Sequence, residues 1–302
     1  MILVDGNSLG FAATAAHDLH AGTVQTGGVW GFLGYLRDIR ETFGGKMYVL
    51  WDGRSWRYEE FPEYKGTRTT NPKLVEIKER WKPQRKLVAK MLATIGVSQL
   101  QSMNMEADDL AGRTCEKQAG KDIALISGDK DWCQLVNEHV TWVDPIRRRR
   151  ATPSNLKEIV GYDTAWQFIQ AKALTGDKSD NIHPVGGLGD KAAEFIFERF
   201  GSVQGMLNEA ALSREAFNSL PKKYQSFVDD PQKIDSYHRN LRLVWLNHPN
   251  LPAAQKPLVI KSAFNRERFC DLCGELAFTQ ILRDADAWAA PFLALDHGRI
   301  AA

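Results

Sequence analysis

Acidic residues fall along this chain where a fold would bring them together. Asp5 follows the apolar run 2–4, Asp52 follows 49–51, and Asp129 and Asp131 follow 123–127, which is apolar up to Ile126. A fourth group, Glu106-Ala-Asp108-Asp109, opens a segment with helical spacing, and a fifth, Asp177-Lys-Ser-Asp180-Asn, reads as a loop. Any one of these could be a helix cap or a turn residue. Recurrence at strand ends and a helix start weakens that reading. Like charges packed together repel, so a convergent acidic cluster makes sense around cations. Carboxylate oxygens are hard donors that suit magnesium and manganese. Two such ions about 3.5–4 Å apart stabilise the attacking and leaving oxygens of an in-line displacement at phosphorus. The chemistry in view is metal-assisted phosphodiester hydrolysis, and no nucleophilic Ser, Cys or His triad is needed for it.

Those groups require elements that deliver them to one edge. Residues 1–4, 47–51, 123–127 and 140–143 read as strands, and residues 28–42, 83–95 and 107–117 carry apolar side chains at helical spacing. Short apolar strands separated by helices argue for an α/β fold with a mostly parallel central sheet covered on both faces. Open sheets of this kind bind ligands at the carboxyl ends of their strands, where Asp5, Asp52, Asp129 and Asp131 lie. Beyond residue 153 the strand signal fades, and 168–174, 192–200 and 266–282 read as helices. The expected organisation is an α/β lobe over 1–150 and a helical lobe over 151–290.

One segment interrupts the alternation. Residues 54–90 hold Arg54, Arg57, Lys65, Arg68, Lys73, Lys78, Arg80, Lys82, Arg85, Lys86 and Lys90 against five glutamates, with Trp56, Tyr58, Phe61, Tyr64 and Trp81 interleaved. Basic residues with exposed aromatics suit phosphate contact and base stacking. The competing reading is a solvated helical face with its own small core. Residues 147–150 form a four-arginine run, either a solvated loop or a second phosphate contact. The formal net charge of +2 decides nothing alone, because clustering rather than sum governs nucleic-acid contact.

Composition excludes other classes. With 43% hydrophobic and 25% charged residues the chain has ordinary globular values, so disorder is not expected. Asp5 ends the N-terminal apolar stretch at once, and no run approaches the roughly 18 apolar residues of a membrane span. Cys115, Cys133, Cys270 and Cys273 are scattered, and the single CxxC reads as part of an amphipathic helix rather than a zinc site. A soluble protein of a reducing compartment, the cytoplasm, is expected.

Taken in order, the motifs resemble the 5′-nuclease family, which includes flap endonucleases, the 5′-nuclease domain of bacterial DNA polymerase I and standalone bacteriophage 5′–3′ exonucleases. They are Leu3-Val-Asp5-Gly-Asn, Gly28-Val-Trp-Gly-Phe-Leu, Trp51-Asp52-Gly, Glu63-Tyr64-Lys65-Gly-Thr-Arg68, Glu106-Ala-Asp108-Asp109, Ser127-Gly-Asp129-Lys-Asp131, Gly176-Asp177-Lys-Ser-Asp180-Asn-Ile and Gly187-Leu-Gly189-Asp-Lys191-Ala-Ala. The resemblance implies a PIN/5′-nuclease-like sheet with a helical arch or clamp at 54–90 and a helix–three-turn–helix at 177–193. It assigns Asp5, Asp52, Glu106 and Asp108 to a first metal site. Asp108, Asp129, Asp131 and Asp180 go to a second, with Asp109 and Asp177 as further or outer-shell acids. It makes Tyr64, Lys65 and Arg68 the base of the arch, with the cation on the scissile phosphate. Gly187, Gly189 and Lys191 would grip duplex phosphates, often with a potassium ion. The run Ile182-His-Pro-Val-Gly-Gly187 departs from the family's Ile-Pro-Gly-Val-Pro-Gly pattern, which leaves potassium coordination open.

The implied partner is DNA with a 5′ end, as duplex, overhang, nick or flap, cleaved to 5′-phosphate products with two Mg2+ or Mn2+ ions. A PIN-like ribonuclease would share the sheet and acids without needing residues 177–193. A toprim-type domain would order its acids differently, and a non-catalytic branched-DNA-binding module would have no use for the acids.

Overall fold

The computed structural model describes residues 1–66 and 71–293. These form two compact units. Residues 1–56, 71–152 and 253–293 make the first, and residues 57–66 and 153–252 the second.

The first unit is built on a seven-stranded sheet. Its strands are β1 (Ile2–Asp5), β2 (Met47–Trp51), β3 (Ser98–Gln101), β4 (Ile123–Ile126), β5 (Val140–Asp144), β6 (Arg149–Ala151) and β7 (Leu258–Ile260), in the order β6-β5-β4-β1-β2-β3-β7. The five inner strands are parallel, and each edge strand runs antiparallel to its neighbour. β1 and β4 are buried at every residue, as expected of parallel strands covered on both faces.

Four helices of this unit pack on the sheet: α1 (Gly6–Ala16), α2 (Gly27–Phe43), α3 (Pro72–Leu92) and α4 (Ala107–Lys117). Phe32 of α2 stacks on Trp51 of β2 and on Trp81 of α3, and the two tryptophans are tilted by 31°, with ring centroids 6.0–6.4 Å apart. Gly10 makes room for this group, because a Cβ there would stand 2.1 Å from the Trp81 ring. Buried Gln84 of α3 accepts from the Gly28 and Val29 amides at 2.7 and 3.3 Å, and so caps the start of α2. α3 begins well before residue 83, because Asn71 caps it and Pro72 takes its first turn. The single helix read over 266–282 is two, Arg266–Glu275 and Thr279–Arg283, broken where Ala277 adopts φ +57°.

The second unit is helical. α5 (Ala165–Thr175) and α6 (Asp190–Phe200) flank the loop 176–189, and α7 (Pro231–Val244) packs beside α5. Gly176 starts the loop at φ +73°, with the Ile182 carbonyl 2.3 Å from where a Cβ would be, so only glycine fits. Asn240 of α7, fully buried, donates to the Ala173 and His183 carbonyls at 3.0 and 2.8 Å and ties helix end to loop.

The lobes expected at 1–150 and 151–290 are therefore drawn differently. Residues 253–293 return to the first unit, and the expected insert 54–90 is divided between both.

Candidate active site

β1 ends in Asp5, which also caps α1. One of its oxygens accepts from the Ser8 amide and the other from the Ser127 hydroxyl, both at 2.9 Å. Asp52, just past β2, is bound as tightly. Its Oδ1 accepts from the Ala107 amide at 2.8 Å and its Oδ2 from the Asn7 side chain at 2.6 Å. Trp81 donates in turn to the Asn7 carbonyl oxygen at 3.2 Å, so the core aromatic of α3 aims the amide that aims Asp52.

α4 begins at the same edge. Glu106 is its N-cap, and Asp109, fully buried, reaches back to accept from the Glu106 amide at 3.1 Å in a capping box. Asp108 points elsewhere and accepts from the Trp132 indole at 2.6 Å. After β4 the Ser127 hydroxyl accepts from the Asp129 amide at 3.0 Å, and Asp129 caps the turn 130–135 by accepting from the Asp131 amide at 2.9 Å.

Electrostatics show which of these acids sense one another. Burial, then the charge of Asp52, pushes Asp5 up to about 7 against the hydrogen bonds of Ser8 and Ser127, with Asp129 adding to the rise. Asp108 is also raised well above the ordinary carboxylate range, first by burial and then by Asp129, Asp5, Glu106 and Asp52. Five acids from β1, β2, α4 and the end of β4 thus repel across one space. Among the described residues no three His, Cys, Asp or Glu side chains are grouped as ligands of a single ion. The donor set itself is suited to a hard cation: every group is an oxygen acid, and protonation is the alternative relief for the repulsion.

The second unit holds the other candidates. Asp177 accepts from Lys172 at 2.8 Å on one oxygen and from the Ser179 amide and hydroxyl at 2.8 and 2.7 Å on the other. Burial alone raises its pKa, but the Lys172 charge and these hydrogen bonds outweigh it and hold the carboxyl at about 2. Both oxygens are engaged in closing the loop. Asp109 is fully buried and takes part in the capping box of α4.

Tyr64 departs further from expectation. Only 3% exposed, it packs edge-on to Tyr58 at 5.4 Å and donates its hydroxyl to Asp180 at 2.9 Å. Its ring is enclosed and cannot stack on a strand of DNA. Trp56 and Trp81 are buried too, so three of the five aromatics between 54 and 90 serve cores rather than a surface. Lys65 has φ +58°, its amide donates to the Asp180 carbonyl at 2.9 Å, and its ammonium lies 4.8 Å from the centre of the Tyr64 ring. Arg68 lies outside the described residues. Gly187 has φ +82°, whereas Gly189 caps α6 at an ordinary φ of −94°, and both have open space where a Cβ would stand. Lys191 is exposed on the first turn of α6.

Ser8 and Trp132 were not singled out from sequence, and Asn7 and Ser127 stood there only as members of motifs, although each lies within three residues of an acid that was. Their signal is the capacity of Asn, Ser and Trp to donate to a neighbouring carboxylate.

The family model described as "5'-3' exonuclease, N-terminal resolvase-like domain" matches residues 1–161. The chain belongs to the 5′-3′ exonuclease family. DNA polymerase I of Bacillus subtilis is 32% identical over 299 residues, covering 93% of this chain and 32% of the polymerase. The thermostable DNA polymerase I of Thermus filiformis is 29% identical over 289 residues, again 93% and 32%. The chain thus spans about a third of the length of these curated relatives. Among solved structures, the D15 protein of bacteriophage T5 crystallised with metal ions has a TM-score of 0.65 at 24% identity over 97% of both chains. The T5 D15 flap endonuclease in complex with DNA and metal ions has a TM-score of 0.66 at 23% identity, also over 97% of both. These establish the likeness of fold. Among the described residues no helix is long and apolar enough to cross a membrane.

Proposed function

We propose that this chain is a divalent-metal-dependent 5′-nuclease acting on DNA with a 5′ end, as 5′–3′ exonuclease and flap endonuclease, and leaving 5′-phosphates. The carrying observation is the mutual repulsion of Asp5, Asp52, Glu106, Asp108 and Asp129 at one sheet edge, in a chain of the 5′-3′ exonuclease family. The T5 flap endonuclease of similar fold was crystallised with DNA and metal ions, which supports DNA as the polymer.

Asp5, Asp52, Glu106 and Asp108 would hold one Mg2+ or Mn2+ ion, and Asp108, Asp129 and Asp131 a second. When bound, such ions polarise the phosphate and lower the pKa of a water molecule. The protein's part is preorganisation. Ser8, Ser127, Asn7 and the Ala107 amide fix Asp5 and Asp52 by hydrogen bonds, so the acids need not be ordered during the reaction. Lys65 places a cation for the scissile phosphate, and the open backbone at Gly187 and Gly189, with Lys191, receives a duplex phosphate, with a potassium ion as a further occupant of that turn.

The test is cleavage of a 5′-labelled flap and a 5′-recessed duplex with magnesium, with manganese, and with chelator. Wild type should release 5′-phosphate products in either metal and none in chelator. Asp129→Asn with Asp131→Asn should lose orders of magnitude in turnover while keeping DNA binding. Full activity in excess chelator would refute the metal mechanism.

A further inference from the structure

The edge that carries the acids also carries an arginine hairpin with no part in the reading above. β5 lies parallel to β4, so the turn after Asp144 emerges at the same edge as Asp129. Asp144 is 1% exposed, and one of its oxygens accepts from the Ile146 and Arg147 amides, each at 3.0 Å. Its other oxygen accepts from Arg147 Nη1, also at 3.0 Å. Arg148, at φ +53°, turns the chain into β6, where Arg149 pairs with Asp144 and Arg150 with Val143.

Arg147 sits close to the acids. A Cβ on Gly128 would stand 3.7 Å from Arg147 Nη1 and 3.2 Å from Ser8 Oγ. Gly128 joins Ser127, which holds Asp5, to Asp129, which raises both Asp5 and Asp108. A buried carboxylate has thus taken one N–H of a guanidinium and fixed its direction, and the Arg147 side chain is still 60% exposed. Its remaining donors have no partner among the described residues, and neither Arg148 nor Arg149 has an ion-pair partner there. A fixed guanidinium with free donors matches the geometry of a phosphate. A pair with its guanidinium this exposed adds little stability by itself.

We propose that Arg147, oriented by Asp144, binds a backbone phosphate of the DNA strand beside the carboxylate cluster, with Arg148 and Arg149 adding charge along the same backbone. This rests on the nuclease reading for the direction in which DNA approaches. Binding would be independent of base sequence, because phosphate contacts position a strand without reading it.

The experiment measures anisotropy of a labelled duplex with a 5′ single-stranded overhang, in chelator so that nothing is cut, across a salt series. Each lost phosphate contact lowers the slope of log affinity against log salt by about one. Arg147→Ala should lose about one in slope and roughly tenfold in affinity. Arg147→Lys should recover the slope but only part of the affinity, because an ammonium lacks the fork. Arg148→Ala with Arg149→Ala should lower the slope further, with thermal unfolding unchanged in all three variants. Wild-type slope and affinity in Arg147→Ala would overturn the proposal, as would equal affinity losses in the Ala and Lys variants at unchanged slope. Wild-type protein that binds but never cuts would remove the nuclease reading and leave this one standing. Wild-type cleavage beside unaltered Arg147→Ala binding would remove this one alone.

Discussion

Tyr64 and Asp180 meet through a 2.9 Å hydrogen bond inside the second unit, with the Tyr64 ring almost wholly enclosed. The bond joins residues 57–66 to the loop between α5 and α6, two segments more than a hundred positions apart. It makes Tyr64 a structural anchor within the second unit. Tyr64→Phe should lower stability by about 1 kcal/mol, and Tyr64→Ala by about 3–5 kcal/mol through the cavity it leaves. Urea midpoints would measure both. Should Tyr64→Ala unfold like wild type and fail only in DNA binding, the ring would be a stacking surface after all.

Asp5 makes stability depend on pH with a definite sign. Its folded-state carboxyl lies near 7 against an ordinary 3.8, so the folded protein keeps a proton that the unfolded chain releases. The contribution of this group is therefore complete below about pH 4 and is lost as pH rises to about 7. Metal-free Asp5→Asn should show a shallower decline over that window and greater stability than wild type at pH 8. Parallel curves for the two proteins would show that Asp5 is not the group responsible.

Asp177 has the opposite sign. Held at about 2 rather than 3.8, it adds stability that is present above about pH 4 and disappears as pH falls through about 2. Lys172→Met leaves this carboxylate without its cation and should cost on the order of 2 kcal/mol at neutral pH. The deficit should shrink in acid. Denaturation at pH 7 and pH 2.5 separates this from a packing defect, which acid would not relieve.

Gly187 and Gly189 call for different substitutions. Gly187→Ala forces a side chain onto φ +82° and should destabilise by about 1–2 kcal/mol irrespective of DNA. Gly189 has ordinary dihedrals and free space, so Gly189→Ala should fold as well as wild type. Any loss of duplex affinity in that variant then reports a phosphate approaching the backbone. Unchanged affinity on a duplex substrate would place the phosphate elsewhere.

Lys65→Ala should reduce kcat by orders of magnitude while changing KM severalfold at most, if its cation acts chiefly on the transition state. Single-turnover and steady-state rates on the same flap give the split. A defect confined to KM would make Lys65 a docking residue.

Much of the first unit could be read from residue order, because most of its inner strands are largely apolar runs with an acid at or just beyond their ends. β3 escaped since its sequence is Ser-Gln-Leu-Gln. Gln99 is buried there only because its amide accepts from the Trp51 indole and donates to the Ala89 carbonyl. β7 escaped for the reverse reason: its three apolar residues are exposed at an edge, so burial never shaped the surrounding pattern. The aromatics between 54 and 90 misled because composition does not say which face a ring occupies. The buried set Trp81, Gln84, Val88, Met91 and Leu92 recurs at helical spacing and marks a core stripe of α3 rather than a stacking platform. Asp109 lies three residues after Glu106, a capping-box spacing legible in principle and outweighed by the pull of the neighbouring acids.

β7 also bears on the order of assembly during synthesis. The first unit begins at the N-terminus, is interrupted by residues 153–252, and gains β7 and the helices after it only once residues 258–293 have left the ribosome. Until then β3 has one open flank, and the Phe269 and Cys273 part of the core is missing. A nascent chain stalled within residues 153–252 therefore presents an unpaired strand edge, a template for pairing with another copy. Chaperone capture should concentrate in that interval of translation and cease once β7 is in place.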